Sequence, residues 1–249
     1  MFHRYIAAIL GLICVLLGAM AWRNRADPEQ PVLIPTILVA VVIFQGLLGM
    51  WTVTLLLKPV IVMGHLLGGL TTLGLLFYLA RLGAPRFALG SGLRRLALVG
   101  LVALVLQIAL GGWTSANYAA LACPDLPTCQ TQWWPANMDY QEGFILWRGI
   151  GIDYEGGVLD NPARVAIHFT HRLGAVVATL VLGFLAWQLV RARAGLSGWW
   201  VGAALALQVS LGVAIVFFGV PFLVAAAHNG VAALLLLSVI NANQRISTV

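Results

Sequence analysis

The sequence Ile167-His168-Phe169-Thr170-His171-Arg172-Leu173-Gly174 opens an apolar run that extends to about Leu189. Ionisable side chains are costly inside a membrane, so those found there usually face the interior of a helical bundle and serve a site. The same pair of residue types recurs as His3-Arg4, again at the head of an apolar run. This repetition predicts a functional site built from histidines at the ends of membrane helices.

The composition places the chain among membrane proteins. Of its 249 residues, 61% are hydrophobic and only 9% are charged, which excludes an ordinary soluble domain and predicts a polytopic membrane protein. The net charge of +6 could indicate binding to nucleic acid. However, the basic residues lie in short loops between apolar runs, where they act as topology signals, and we expect no nucleic-acid partner.

Seven apolar runs are long enough to span a bilayer, which requires about 20 residues. We therefore predict an all-α fold, a polytopic bundle of membrane helices. The predicted spans are residues 3–22, 32–55, 59–82, 93–115, 163–190, 199–218 and 221–240.

The distribution of lysine and arginine predicts the orientation of these spans. The loops after the first, third and fifth spans and the C-terminal tail hold nine basic residues, against three on the opposite side. We expect the C-terminus to be cytoplasmic and the long loop, residues 116–162, to lie outside the plasma membrane. In a bacterial inner membrane that side is the periplasm, and the N-terminus would share it.

The long loop contains Cys123 and Cys129, separated by five residues. On the outer side they could form a disulfide, because that compartment is oxidising; two free thiols or a metal site are the alternatives. A zinc site is disfavoured, since the loop lacks a second pair of thiolate or imidazole ligands. Cys14 lies alone in an apolar run and is interpreted as a buried small residue.

Tryptophans in the same loop have two interpretations, interfacial anchors or a lid over a pocket. They are Trp133, Trp134 and Trp147.

An internal repeat relates the two parts of the chain. Three spans share the pattern Gln-x-x-x-Gly, at residues 45–49, 107–111 and 208–212, and helix packing through small residues would explain one copy better than three. The separation from Gln45 to His65 is 20 residues, and so is that from Gln208 to His228. The chain is thus predicted to contain two parallel copies of one unit, an N-terminal half-bundle at 1–92 and a C-terminal half-bundle at 93–249.

The second copy has an additional helix, residues 93–115, before its first histidine helix. The first copy has no counterpart, because Met1 stands two residues before His3. The expectation is that a helix which would complete the first half is missing from this sequence.

Histidines fall near the outer end of their helices in both copies. His3 can face His65 in the first half, and His171 can face His228 in the second. Two imidazoles that project inward from facing helices suit axial ligation of haem iron. A hydrogen-bonded packing role explains a single membrane histidine well, but explains four in a matched repeat less well.

Neighbouring residues are compatible with a haem. Arg4 and Arg172 could each pair with a haem propionate or extend to lipid headgroups. His168 lies one helical turn before His171, and we expect a packing role, or a hydrogen bond to a ligand, rather than ligation itself. Glycines near the histidines could admit a flat macrocycle or close helix packing. These glycines are Gly64, Gly68, Gly69 and Gly230.

Taken together, these features resemble the haem A synthase family in its proteobacterial form. The resemblance is carried by His3-Arg4, residues 45–51, His65, residues 107–117, the segment 123–129, Trp133-Trp134-Pro135, residues 168–174 and His228-Asn229-Gly230.

The resemblance implies eight transmembrane helices in two four-helix halves, and oxidation of the C8 methyl group of haem O to the formyl group of haem A for cytochrome oxidase. It implies haem b as a cofactor between His171 and His228, the substrate haem between His3 and His65, and a disulfide at the cysteine pair. The implied partners are the farnesyltransferase that makes haem O and an unidentified electron donor. An oligomer is also possible.

The chain departs from the family pattern at one position. The family places a catalytic glutamate three residues before the first His-Arg pair, which falls upstream of Met1 here, so the catalytic residue is unknown. A protein that truly began at Met1 would be expected to bind haem with impaired activity, whereas one with the upstream segment would be active.

A second class of function remains open on the histidines alone. A non-enzymatic dihaem cytochrome that carries electrons between quinone and an outer acceptor would need the same four ligands. Such a carrier needs two permanently occupied haems, whereas an enzyme needs one site that exchanges its porphyrin.

Overall fold

The computed structural model describes residues 2–248. Within that range, seven helices are long and apolar enough to cross a membrane, which confirms the predicted all-α bundle. They are α1 (Phe2–Arg23), α2 (Leu33–Thr54), α3 (Pro59–Ala80), α4 (Gly90–Ala116), α6 (Asn161–Arg191), α7 (Ser197–Phe217) and α8 (Phe222–Arg245). A four-residue helix in the long loop, α5, spans Tyr140–Gly143, and two short strands, β1 (Phe87–Ala88) and β2 (Ile246–Ser247), pair in parallel.

The helix ends follow local sequence signals. Pro59 occupies the first turn of α3, where its missing N–H costs no hydrogen bond. Asp160 caps α6, because its carboxylate accepts a hydrogen bond from the backbone N–H of Ala163 at 3.2 Å. These signals begin two of the helices that carry histidines.

Two predicted boundaries were wrong by several residues. Helix α8 continues to Arg245, five residues beyond the predicted end at 240, because the tail pairs with β1 instead of leaving the bundle. Helix α4 begins at Gly90, three residues before the predicted start at 93.

The C-terminal helices close into a ring. Helix α4 packs on α6, α6 on α7, α7 on α8, and α8 back on α4. The ring interior at the end away from the histidines is filled by a cluster that includes Leu182, Leu185, Leu189 and Val239, each fully buried. Helices α6 and α8 therefore face each other diagonally across the ring.

The N-terminal helices form an arc against this ring. Helix α1 packs on α2 and α2 on α3, while α3 contacts both α4 and α8. Helices α1, α3, α6 and α8 run in the same direction, so their first residues lie at one face of the bundle. The long loop covers that face, and the β1–β2 pair lies at the other.

Candidate haem-binding site

All four histidines of the predicted pairs lie at the face that the long loop covers. His65, His171 and His228 are partly buried in the first halves of α3, α6 and α8, while His3 is exposed at the start of α1. His171 lies near enough to His228 for the two rings to interact electrostatically, and His65 has the same relation to His3. The members of each predicted pair thus lie within electrostatic range of each other.

Three of these imidazoles are held by glutamine side chains, which the sequence argument had not connected to them. The amide nitrogen of Gln107 lies 3.0 Å from Nδ1 of His171 and donates to the carbonyl oxygen of His171 at 3.0 Å. With its amide oriented to satisfy both ends, Gln45 places its nitrogen 2.7 Å from Nδ1 of His65 and 3.1 Å from the carbonyl oxygen of His65. Gln208 places its nitrogen 3.1 Å from Nε2 of His228.

A glycine lies beneath each of these rings. A Cβ atom added at Gly49, Gly111 or Gly212 would lie 3.2, 3.1 and 3.2 Å, respectively, from Cε1 of the facing histidine. Each glycine is four residues after a glutamine, so both residues occupy the same face of their helix. The repeated Gln-x-x-x-Gly pattern therefore forms a seat for an imidazole of the next histidine helix.

The glycines near the histidines serve several purposes. A Cβ at Gly68 would collide with the side chain of Gln45, so this glycine makes room for the amide. Gly64 faces Leu48 at ordinary contact distance, whereas Gly69 and Gly230 have no neighbour within 4 Å of an added Cβ. Of the four glycines considered for a macrocycle, only the last two border open space.

The donor set fits an axially ligated haem. Nδ1 of His228 is buried without a hydrogen-bond partner, and so are the amide oxygens of Gln107 and Gln208. His228 thus engages Gln208 through Nε2 and keeps Nδ1 uncommitted. No cluster of three or more His, Cys, Asp or Glu side chains forms between residues 2 and 248.

Arg172 has a different role from either of those expected. Its guanidinium donates to the carbonyl oxygens of Cys123 at 2.6 Å, Asp125 at 2.7 Å and Thr128 at 2.8 Å. These bonds fasten the cysteine loop onto α6 one residue beyond His171. The guanidinium is therefore engaged with protein, and Arg4, which is exposed, keeps both earlier interpretations.

The loop held by Arg172 is closed by the expected disulfide. Cys123 and Cys129 are bonded, with their Cα atoms 4.6 Å apart, and both residues are buried. Inside the loop, the Thr128 hydroxyl donates to Asp125 and, with the backbone N–H groups of Thr131 and Gln130, holds the pKa of Asp125 below its ordinary value of 3.8. Cys14 is a buried free cysteine, as expected.

His168 lies beneath this loop and is only 4% exposed. The backbone N–H of Cys123 points at its Nδ1 at 3.2 Å, and Nε of Arg172 lies 3.3 Å from its Nε2. A neutral imidazole has one acceptor nitrogen, so it accepts one of these bonds at a time. The position places His168 in the packing between loop and helix.

The far part of the long loop is fastened to the α2–α3 turn. Lys58 is 2% exposed, and its ammonium donates to the carbonyl oxygens of Arg148 at 2.6 Å and Gly149 at 3.2 Å. The same nitrogen lies 3.6 Å from the ring centroid of Trp147, a cation–π contact. The long loop thus connects the C-terminal ring to the N-terminal arc.

The loop tryptophans are mainly exposed, Trp133 most of all at 75%. Trp134 meets the ring of Phe169 edge-on, with centroids 5.1 Å apart. Trp147 covers the ammonium group of Lys58. These placements suit interfacial anchors, and the lid interpretation stays a prediction.

Fold and site define a polytopic helical membrane protein that presents paired imidazoles at one face of the bilayer. The chain belongs to the COX15-CtaA family, described as cytochrome oxidase assembly protein, which it matches over residues 1–240. It is 43% identical to the heme A synthase of Shewanella oneidensis over 250 residues, covering 98% of this chain and 74% of that protein. The heme A synthases of Halalkalibacterium halodurans and Rhizorhabdus wittichii are 26% and 27% identical, over 91% and 94% of this chain and 72% and 67% of theirs.

Proposed function

We propose that this protein is a haem A synthase, an oxidoreductase that converts the C8 methyl group of haem O to a formyl group. The observation that carries the proposal is the pairing of imidazoles at one membrane face, in a chain that is 43% identical to a protein named heme A synthase. Haem A made in this way would serve cytochrome oxidase, in agreement with the description of the family.

The two histidine pairs have different tasks in this proposal. His171 and His228 hold haem b, since their helices face each other within a closed ring that suits a resident cofactor. His3 and His65 hold the substrate haem, as the family resemblance implies. The half-bundles at 1–92 and 93–249 are thus the substrate half and the cofactor half.

The chemistry sets what the protein must do. Two successive hydroxylations followed by loss of water would turn the methyl carbon into an aldehyde, and the four electrons removed in total would pass to an external oxidant such as dioxygen. Haem b, when bound, would supply one-electron transfer. His3 and His65 would fix the substrate so that its edge methyl stays in one place. The position expected for the family's glutamate lies outside the described residues.

The membrane context follows from the charge distribution and the disulfide. We place the C-terminus in the bacterial cytoplasm and the cysteine loop in the periplasm, because nine basic residues flank one face against three at the other. A disulfide persists in an oxidising compartment, which supports the same orientation. The partners would be the farnesyltransferase that supplies haem O and an electron donor that the sequence does not identify.

Replacing His65 with Met tests the division of tasks. We expect His65→Met to lose haem O binding and conversion while the haem b spectrum stays unchanged, because the C-terminal pair is intact. Thr71→Val is the matched control, since Thr71 is exposed on the same helix and its hydroxyl donates to the carbonyl oxygen of Leu67, one turn earlier. Loss of haem b in His65→Met would reverse the assignment of the halves.

Extraction of the bound pigments separates the enzyme from the electron carrier. A haem A synthase should yield haem O or haem A beside haem b, whereas a dihaem cytochrome should yield haem b twice. The relatives named above support the enzyme, and none of them is named as a cytochrome.

A further inference from the structure

The end of the bundle that carries the β1–β2 pair is strongly basic. Residues 81–115 and 191–249 contain no Asp or Glu, whereas seven arginines lie at this end, in the helix ends and the turns between them. They are Arg81, Arg86, Arg94, Arg95, Arg191, Arg193 and Arg245. We propose that this end binds an anionic phospholipid, whose headgroup phosphate is held by Arg193 and Arg245. This inference does not rest on the proposed function, because it involves none of the histidines.

The arginines of this end have no counter-ion within the protein. Across residues 2–248 a single ion pair forms, between Arg148 and Glu142 in the long loop at the opposite face. Arg81 bonds to a neutral group, since its guanidinium donates to the amide oxygen of Asn241 at 3.3 Å. A one-sided accumulation of positive charge attracts anions from the surroundings. The anions available to a membrane protein at this position are the headgroups of acidic lipids.

Arg245 is fixed in place by the short strands. Its Nε donates to the carbonyl oxygen of Pro85 at 3.2 Å, and its guanidinium carbon lies 4.6 Å from the ring centroid of Phe87. Phe87 pairs in β1 with Ile246 of β2, the residue that follows Arg245. The strand pair thus orients the guanidinium while Nη1 and Nη2 make no hydrogen bond with the described residues. A fixed planar fork with free N–H groups is suited to a phosphate.

The free side of this fork meets the turn between α6 and α7. Nη1 and Nη2 of Arg245 lie 3.7 and 3.8 Å from the place that a Cβ at Gly195 would occupy. Because this position is glycine, the turn leaves the fork uncovered. Arg193, two residues earlier in the same turn, is exposed. A phosphate at this turn would therefore be within reach of both guanidinium groups.

Tryptophans beside the turn indicate that the anion is a lipid. Trp199 and Trp200 are largely exposed in the first turn of α7, directly after the turn. Trp187 stacks with the last-turn residue of α6, Arg191, whose guanidinium carbon lies 4.8 Å from the ring centroid. Tryptophans on a membrane bundle mark the depth of the headgroups. The arginines thus lie where lipid phosphates are, and a soluble acidic protein would meet only their outer edge.

The experiment titrates the purified protein in mild detergent with dioleoyl-phosphatidylglycerol or dioleoyl-phosphatidylcholine and counts bound lipids by native mass spectrometry. These lipids have the same acyl chains and differ in headgroup charge. The test variant carries Arg193→Gln and Arg245→Gln. The matched control carries Arg23→Gln and Arg25→Gln, which remove the same charge from the α1–α2 turn, a turn with carboxylates of its own.

We expect the wild type and the control to bind phosphatidylglycerol more tightly than phosphatidylcholine. The test variant should bind phosphatidylglycerol about 30-fold more weakly, since each arginine near anionic lipid contributes about 1 kcal/mol and 1.36 kcal/mol corresponds to a factor of ten. If the double variant does not accumulate, Arg193→Gln alone changes one exposed side chain and should weaken binding about fivefold.

Three results would contradict the proposal. Equal affinity of the wild type for the two lipids would overturn it, and so would a test variant, or Arg193→Gln, that binds phosphatidylglycerol as tightly as the control does. Release of bound phosphatidylglycerol by excess inorganic phosphate at constant ionic strength would overturn the lipid as the occupant of this site.

Discussion

Replacing Arg172 with lysine should loosen the cysteine loop. The guanidinium forks across three carbonyl oxygens of that loop, at 2.6–2.8 Å, from a fixed position on α6. Lysine keeps the positive charge but presents one ammonium group, which cannot reach three acceptors arranged for a planar fork. The substitution therefore tests the three hydrogen bonds of the guanidinium and not its positive charge.

The size of the effect follows from the bonds that are lost. A hydrogen bond to a charged group contributes about 1.5–3 kcal/mol. The three bonds share one partly buried side chain, and neighbouring contributions are not additive. We therefore expect the loop to be about 2–4 kcal/mol easier to lift, below the simple sum, with one bond retained by the lysine.

The disulfide reports that opening directly. Both cysteines are buried, so a water-soluble reductant reaches their sulfur atoms only after the loop lifts. A change of 2–4 kcal/mol corresponds to about 30- to 1,000-fold faster reduction at 1.36 kcal/mol per tenfold. The assay measures reduction by dithiothreitol in detergent, followed by maleimide labelling, with buried Cys14 as a constant background.

The matched control is Arg164→Lys. Arg164 lies on the same helix and is half-buried, and its side chain donates a long bond, at 3.4 Å, to the carbonyl oxygen of Asp160, the N-cap residue of α6. Equal reduction rates in Arg172→Lys and Arg164→Lys would refute the role of Arg172 in holding the loop. The interpretations in which Arg172 pairs with a haem propionate or a lipid headgroup would then stand.

Three further substitutions test the contact of Gly111 with a histidine ring, the bonds of Lys58 to the long loop, and the carboxylate of Asp125. Gly111→Ala should lower the haem b content, because the new methyl group would lie 3.1 Å from the imidazole that Gly111 faces. Gly46→Ala is the control, because its methyl group would meet nothing within 4 Å. The measurement is the amount of haem b per polypeptide. Lys58→Met should raise hydrogen exchange and proteolysis near residue 148 of the long loop, because two hydrogen bonds to carbonyl oxygens are lost. Hydrogen exchange equal to that of the wild type would contradict the role of Lys58 in holding the loop. The pKa of Asp125 is lowered in the folded loop, so the ionised carboxylate stabilises the loop at pH values above its ordinary pKa of 3.8. This stabilisation is lost as the pH falls through the pKa of the folded state. A phosphine reductant replaces dithiothreitol, which reacts too slowly at such pH. Reduction of the disulfide should become faster in acid in the wild type but not in Asp125→Asn. An unchanged acid response in Asp125→Asn would exclude this carboxylate as the group that controls loop opening.

The spans were predictable because they depend on one physical quantity, the length of an apolar run against the thickness of a bilayer. The pairing of His171 with His228 was predictable for a related reason, since helices of the same direction bring their first turns to one face. The two rings lie within electrostatic range of each other, whereas ligation of iron by them stays a prediction.

The glutamine contacts could not be read from spacing alone. The sequence shows that Gln107 recurs in a pattern, but its contact with His171 depends on how far α4 and α6 are rotated about their axes. Arg172 was misread for a different reason. A residue at the membrane surface has lipid, cofactor and loop within reach, and only the folded loop shows that its carbonyl groups take the guanidinium.

The most direct test of the central claim is the optical and electron paramagnetic resonance spectrum of purified protein with His171 replaced by alanine, beside His168→Ala. If His171 and His228 ligate haem b, the wild type should show a low-spin haem b, His171→Ala should lose it, and added imidazole should restore it. His168→Ala should keep the low-spin signal. A His171→Ala protein with an unchanged low-spin haem b would contradict the account.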